Sequence, residues 1–170
     1  MPRGAVRHAY TLIELLLVIV ILGISSAMVV PSISSTNVLR VQSAVRSIVA
    51  DIAYAQSDAL ARQEGRAIIF DVATSSYAVV EVKGPTLFPS TDTVLRRSLR
   101  QVDAKGDSHI AAVDFEGTNM IVFDSLGGPV QGPGSTTPGN GGTVTITGSG
   151  STFIIGVEAY TGRVTVTRAP

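Results

Sequence analysis

Cysteine is absent from the 170-residue chain, and histidine occurs only as His8 and His109. Without cysteine there is no disulfide framework, no thiol nucleophile and no thiolate-held zinc or iron–sulfur site. The redox compartment stays unidentified; the fold simply stands without bridges. Two histidines are too few for a histidine metal cluster, and no histidine-containing triad can be built on His109 alone. Neither sign of charge dominates: Lys plus Arg and Asp plus Glu both number 13, so no global excess points to nucleic acid. A nucleophile elbow, a P-loop and a dinucleotide fingerprint are all missing. Asp103-Ala104-Lys105-Gly106-Asp107 is spaced a little like a calcium loop, but its lysine and the lack of a following glutamate make it a solvated turn. Asp114 and Glu116 share a strand face with no further acid–base group near them in sequence. No catalytic residue, metal site or cofactor is expected.

Apolar residues are abundant. They make up 45% of the chain, and mean hydropathy is +0.36, high for a protein that meets only water. From Leu12 to Val30 only Glu14, Gly23, Ser25 and Ser26 interrupt them. At a rise of about 1.5 Å per residue, a helix over Tyr10–Val30 reaches about 30 Å, the thickness of a bilayer core. Arg3 and Arg7 precede it, and no basic residue follows before Arg40. That asymmetry places the N-terminus in the cytoplasm and everything after Pro31 outside. A plain transmembrane anchor accounts for the length. A secretory signal peptide, with Ser25-Ser26-Ala27 as its cleavage site, accounts for the flanks. Neither gives a reason for Glu14, since a charge within a transmembrane helix costs on the order of 2.5–3.5 kcal/mol on insertion scales, less near the interface.

Pro31 cannot donate a helical hydrogen bond and restricts Val30, and 32–37 is poor helix material, so a kink or loosened segment is expected there. Beyond it Val38, Val41, Val45, Ile48, Ile52, Ala55 and Ala59 recur at spacings of three and four, a helical stripe. Val49, Ala53 and Leu60 broaden the stripe; Arg40, Arg46, Asp51, Asp58 and Arg62 lie mostly off it; Gly65 is the expected stop. After Gly65 the pattern changes to short runs rich in Val, Ile, Thr, Phe and Tyr: 67–72, 77–82, 93–99, 109–115, 120–123, 143–147, 153–157 and 163–167. Turn residues punctuate them. The pattern predicts an α+β domain, antiparallel sheets packed on a helix. Residues 127–142, GGPVQGPGSTTPGNGG, hold seven glycines and three prolines and read as a flexible loop between strands.

Ala9-Tyr10-Thr11-Leu12-Ile13-Glu14, followed by Leu15-Leu16-Leu17-Val18-Ile19-Val20, resembles the start of type IV prepilins: a short basic leader, a small residue, an aromatic, then T-L-I/V-E and an apolar helix. The family prefers Gly and Phe where this chain has Ala9 and Tyr10. The resemblance implies a pilin-like fold, with leader 1–9, transmembrane helix half 10–31, amphipathic helix half 32–65 and β-rich periplasmic domain 66–170. It implies cleavage by a prepilin peptidase between Ala9 and Tyr10, N-methylation of Tyr10, and the family's proline at Pro31. It also gives Glu14 a partner, the positively charged N-terminal amine of a neighbouring subunit, reached when helices pack inside a filament. Snorkelling of Glu14 to the headgroups is the alternative.

Residues 55–65, Phe123–Gly128, 142–146 and 160–166 narrow the resemblance to GspH/FimT-type proteins, minor pseudopilins of type II secretion and their pilus relatives. The implied role is a non-enzymatic subunit of a pseudopilus involved in protein export. It would be anchored once in the bacterial inner membrane, work in the periplasm and assemble with other pseudopilins or pilins. The alternative is a minor type IV pilin that binds DNA for uptake. DNA-binding members of the wider family carry a C-terminal Gly-Arg-x-Arg; here Gly162-Arg163-Val164-Thr165 keeps the first arginine, and Arg168 comes later. Phosphate binding wants several cations on one face. After cleavage 13 − 2 = 11 basic residues face 13 acidic ones, which weakens that alternative. An exported periplasmic domain with an ordinary signal peptide is the second alternative.

Overall fold

The computed structural model describes residues 10–87, 89, 91–99 and 108–169, and for 27–38 the backbone alone. Ala9, all of 103–107 and the side chain of Pro31 lie outside the described residues. Helix α1 runs from Leu12 to Arg62. Among the described residues nine strands follow: β1 Gly65–Asp71, β2 Ser76–Val82, β3 Thr93–Ser98, β4 His109–Asp114, β5 Met120–Phe123, β6 Pro129–Val130, β7 Gly141–Gly148, β8 Ser151–Glu158 and β9 Val164–Arg168. The chain divides into two units, Met1–Thr36 and Asn37–Pro170.

In the first unit α1 begins with a cap. Thr11 takes the N-cap position: the Glu14 amide donates to Thr11 Oγ1 at 3.3 Å, and the Leu15 amide to the Thr11 carbonyl at 3.2 Å. The large apolar side chains from Leu12 to Ile24 are 45–83% exposed. Among the described residues no helix is long and apolar enough to cross a membrane. The stretch expected to do so, Tyr10–Val30, has its last side chains outside the description. Pro31 does not interrupt α1, contrary to the loosened segment expected over 32–37. One proline removes a single i→i−4 bond while its neighbours keep theirs.

In the second unit α1 turns Val41, Ala44, Val45, Ile48, Ile52, Ala55 and Ala59 inward, all buried. Ala53 and Leu60, expected to broaden this stripe, are exposed instead. Asp51 and Asp58 were expected off it, yet Asp51 is buried and the Asp58 side chain only 12% exposed. Each lies three residues past a core position, Ile48 or Ala55, and so shares its face. The helix stops at Arg62, three residues before the expected glycine. Gln63 takes the left-handed conformation, and the Glu64 amide closes back onto the Ala59 carbonyl at 3.2 Å. Gly65 instead serves as a close-packed strand residue: a Cβ there would lie 2.9 Å from Val82 Cβ and 3.3 Å from the Phe123 carbonyl oxygen.

The strands form two antiparallel sheets, ordered β3-β2-β1-β5-β6 and β4-β7-β8-β9. All eight expected runs appear as strands, so the α+β prediction stands. The main core gathers the α1 stripe with Ile68, Phe70, Phe123, Val144, Ile146 and Ile155 from both sheets. Each of the aliphatic side chains removed from water contributes about 1.5–3 kcal/mol. A second cluster, Ala67, Ala78, Val80, Val122 and Val130, occupies the other face of the five-stranded sheet. This explains why β1 and β2 are buried at consecutive positions rather than alternate ones.

Part of that second face is covered by the segment expected to be a flexible loop. Residues 127–142 contain β6, which pairs Val130 with Val122 and Pro129 with Phe123. Pro138 bridges back to Val130, and the Gln131 and Gly139 amides donate to the Thr137 and Pro129 carbonyls at 3.0 Å. Gly141 and Gly142 belong to β7. Composition argued for looseness; Val130, the segment's one aliphatic residue, is 9% exposed and anchors it to the second cluster.

Candidate functional site

The sequence singled out two regions, and they behave differently. At the N-terminal end Tyr10 is 75% exposed. Glu14 occupies the third position of α1, also exposed. Thr11-x-x-Glu14 has the spacing of a capping box, in which the residue at the third position reaches back toward the cap. This spacing was readable in the sequence and gives Glu14 a local reason as well. A carboxylate in the first turn also faces the positive end of the helix dipole. Capping satisfies backbone groups but leaves a full negative charge among leucines and isoleucines.

At the C-terminal end Arg163 and Arg168 are not brought together. Arg163 Nη2 donates to Glu158 Oε1 at 2.7 Å, a contact that raises the arginine's pKa and neutralises its charge locally. Arg168 Nη2 donates to Ser151 Oγ at 3.2 Å. Along an extended chain, residues five apart point to opposite faces. The pair therefore offers no common cationic surface.

Three of the four segments that carried the narrower resemblance converge, on Gln56 of α1. Its Nε2 donates to the Gly127 carbonyl at 2.9 Å and to the Thr161 carbonyl at 3.0 Å. One side chain thus ties the turn after β5 and the turn after β8 to the helix. Gly162, at φ +66, lies against it: a Cβ there would stand 2.9 Å from Gln56 Nε2 and 3.1 Å from Phe123 Cε1. Nothing in the sequence of these segments signals that one glutamine joins them.

Two ionic networks, each centred on a little-exposed acid of α1, were also missed. Asp51 Oδ2 accepts from Tyr77 Oη at 2.6 Å and from Arg97 Nε at 2.6 Å, which ties α1 to β2 and β3. Burial, then the bond to Asp51, pushes the Tyr77 phenol far up. Asp58 Oδ2 accepts from Arg66 Nε at 2.6 Å and Oδ1 from Arg62 Nε at 2.9 Å. Partial desolvation pushes the Asp58 carboxyl up, but its hydrogen bonds from the two arginines outweigh that and hold it below the usual range. Their signal in the sequence was an acid three residues beyond a core position of the helix.

The two acids expected to share a strand face do not share it. Asp114 Oδ1 accepts from the Gly117 amide at 3.0 Å, and Glu116, in the turn after β4 rather than on its face, pairs with Asn140. Among the described residues no group of histidine, aspartate and glutamate could hold a metal ion.

Comparison with known proteins gives three findings. A family model described as Type II transport protein GspH matches residues 44–169, and one described as the prokaryotic N-terminal methylation motif matches residues 5–30. Among solved structures the chain is similar to the minor pseudopilin EpsH from the type 2 secretion system of Vibrio cholerae. Identity is 12% and the TM-score 0.51, covering 76% of this chain and 97% of that one, a likeness of fold. No curated protein matches.

Proposed function

Because the chain belongs to the GspH family of type II transport proteins, and is on that ground a minor pseudopilin, we propose how its parts serve assembly. Residues 10–31 insert into the bacterial inner membrane, with the β-rich domain in the periplasm. A prepilin peptidase cuts between Ala9 and Tyr10, and the new amino terminus is methylated. Glu14 is then the residue that favours assembly: in lipid its charge is unmatched, and beside the amino terminus of an adjacent pseudopilin it is neutralised in a low-dielectric setting. The protein works as a structural, non-catalytic subunit.

The observation that carries this reading is the position of Glu14. It sits one turn into α1, in a stretch whose apolar side chains are exposed along its length. A charge there needs a partner from another molecule. The methylation motif over residues 5–30 supports processing at Tyr10 over an ordinary signal peptide. The pairing of Arg163 with Glu158 speaks against the nucleic-acid alternative. Mass spectrometry of the chain purified from membranes tests the reading: a methylated Tyr10 start is expected, and a start at Met28 would overturn it.

A further inference from the structure

A two-sheet fold has four edge strands, and an open edge is a template for pairing unless it is blunted. Three of the four are. In β3 the register slips opposite Val79 and Val80, a bulge, and the strand carries Arg96 and Arg97. In β4 the register slips between Ile110 and Ala112. Strand β6 is two residues long and begins with a proline. The fourth, β9, pairs with β8 in unbroken register from Val164 to Arg168, reads VTVTR, and has neither bulge nor proline.

The hydrogen-bond phase of β9 follows from its two ends. The Glu158 amide donates to the Arg163 carbonyl and the Ala169 amide to the Thr152 carbonyl, both at 2.9 Å. Residues 163, 165, 167 and 169 therefore face β8, and the amides and carbonyls of Val164, Val166 and Arg168 point to the open edge. Beside that edge α1 and the sheet part, leaving an apolar groove of about 480 Å³ lined by Val45, Val49, Ala53, Phe153 and Val166, with Arg46 among them. Val166 stands opposite the buried Ile155 and so faces the helix side, yet is 46% exposed. Arg46 is exposed and has no ion-pair partner among the described residues.

We propose that β9 takes up an extended segment of another polypeptide as an added strand. The added backbone lies one strand spacing, about 4.8 Å, beyond β9. Its alternate side chains, in phase with Val166, enter the groove. They are apolar against Val45, Val49 and Ala53, with one acid that meets Arg46. Recognition is thus by main-chain ladder, apolar alternation and a single carboxylate.

The test uses the full-length chain in secreting cells, with the photo-crosslinker p-benzoylphenylalanine at Gln42, a polar residue of the groove lining. Crosslinked peptides are mapped by mass spectrometry. The expected peptide comes from a different polypeptide and alternates apolar with polar residues around an acid. Val166→Pro removes an edge amide that β8 does not use, so thermal unfolding should stay unchanged while the crosslink falls to background. Val166→Thr should retain the crosslink, and Arg46→Glu should cut it about fivefold, the scale of one exposed ion pair. A crosslink indifferent to Val166→Pro, one mapped to an apolar N-terminal helix or within this chain, or none at all would overturn the proposal. Incorporation that depends on Glu14, scored in the same cells, fails or persists independently of this crosslink.

Discussion

Removing the Asp58 carboxylate should destabilise the domain more than removing the arginine it holds. The Arg66 side chain is 2% exposed, and its Nε donates to Asp58 Oδ2 at 2.6 Å. Without Asp58 the guanidinium keeps the Gly65 carbonyl at 3.0 Å and a Glu64 carboxylate at 3.6 Å that is itself 52% exposed. A buried charge stripped of its main partner costs about 3–5 kcal/mol. For a domain of this size Asp58→Ala should lower Tm on the order of 10–15 °C. Arg66→Met behaves differently, because Asp58 retains Arg62 at 2.9 Å and the thioether fills the vacated space. Exchanging a buried ionic group for an apolar one of similar volume is often close to neutral. The double variant should therefore be more stable than Asp58→Ala alone. Thermal unfolding of the detergent-solubilised full chain, followed by circular dichroism, measures all three. Additive losses in the double variant, or an Asp58→Ala protein within about 1 kcal/mol of wild type, would refute the reasoning. The pH dependence has a definite sign. A carboxyl held below its unfolded pKa contributes stability that is complete above that value, about 3.9, and lost as pH falls through the folded pKa. The gap between wild type and Asp58→Ala should accordingly narrow in acid.

Tyr77→Phe removes one of two strong donors to Asp51 while Arg97 remains; a loss of about 1–2 kcal/mol is expected in urea unfolding. Gly162→Ala combines a left-handed backbone with contacts below 3.2 Å on Gln56 and Phe123, so its urea midpoint should fall by the equivalent of about 1–3 kcal/mol. Glu14→Gln keeps an acceptor at the third helical position but not the charge. Domain unfolding should not change, whereas co-isolation with neighbouring pseudopilins should drop as far as for Glu14→Ala.

The elements of the second unit other than β6 were legible in the sequence because each obeys one period. Strands Met120–Phe123, Gly141–Gly148 and Ser151–Glu158 alternate or run continuously apolar, and the helix shows its stripe from Val41 to Ala59. What escaped was what depends on two distant segments meeting. Asp51 looked like a solvent-facing acid because its partners, Tyr77 and Arg97, lie 26 and 46 residues away. Residues 127–142 looked loose because composition weighs seven glycines above one valine, while the sheet face that Val130 covers is assembled only in three dimensions. At the candidate site the N-terminal motif was legible as a string. Its Thr11 cap was legible too, as a spacing of three, but stood in the shadow of the charge at Glu14.

Those two roles of Glu14 act at different levels. A glutamine would serve the cap about as well, since an acceptor at the third position suffices. Capping therefore accounts for a polar residue and not for a charged one. The helix dipole favours the charge, but only by about 0.3–1 kcal/mol at an exposed end. That is less than the on-the-order-of 2.5–3.5 kcal/mol a carboxylate costs at the centre of a membrane helix, a cost that shrinks toward the interface. On the reading we propose, the remainder comes from a cation on a neighbouring subunit, a source that makes the cost disappear only on assembly. On this argument the acid discriminates between the free and the assembled state, which neither the apolar run nor the cap can do.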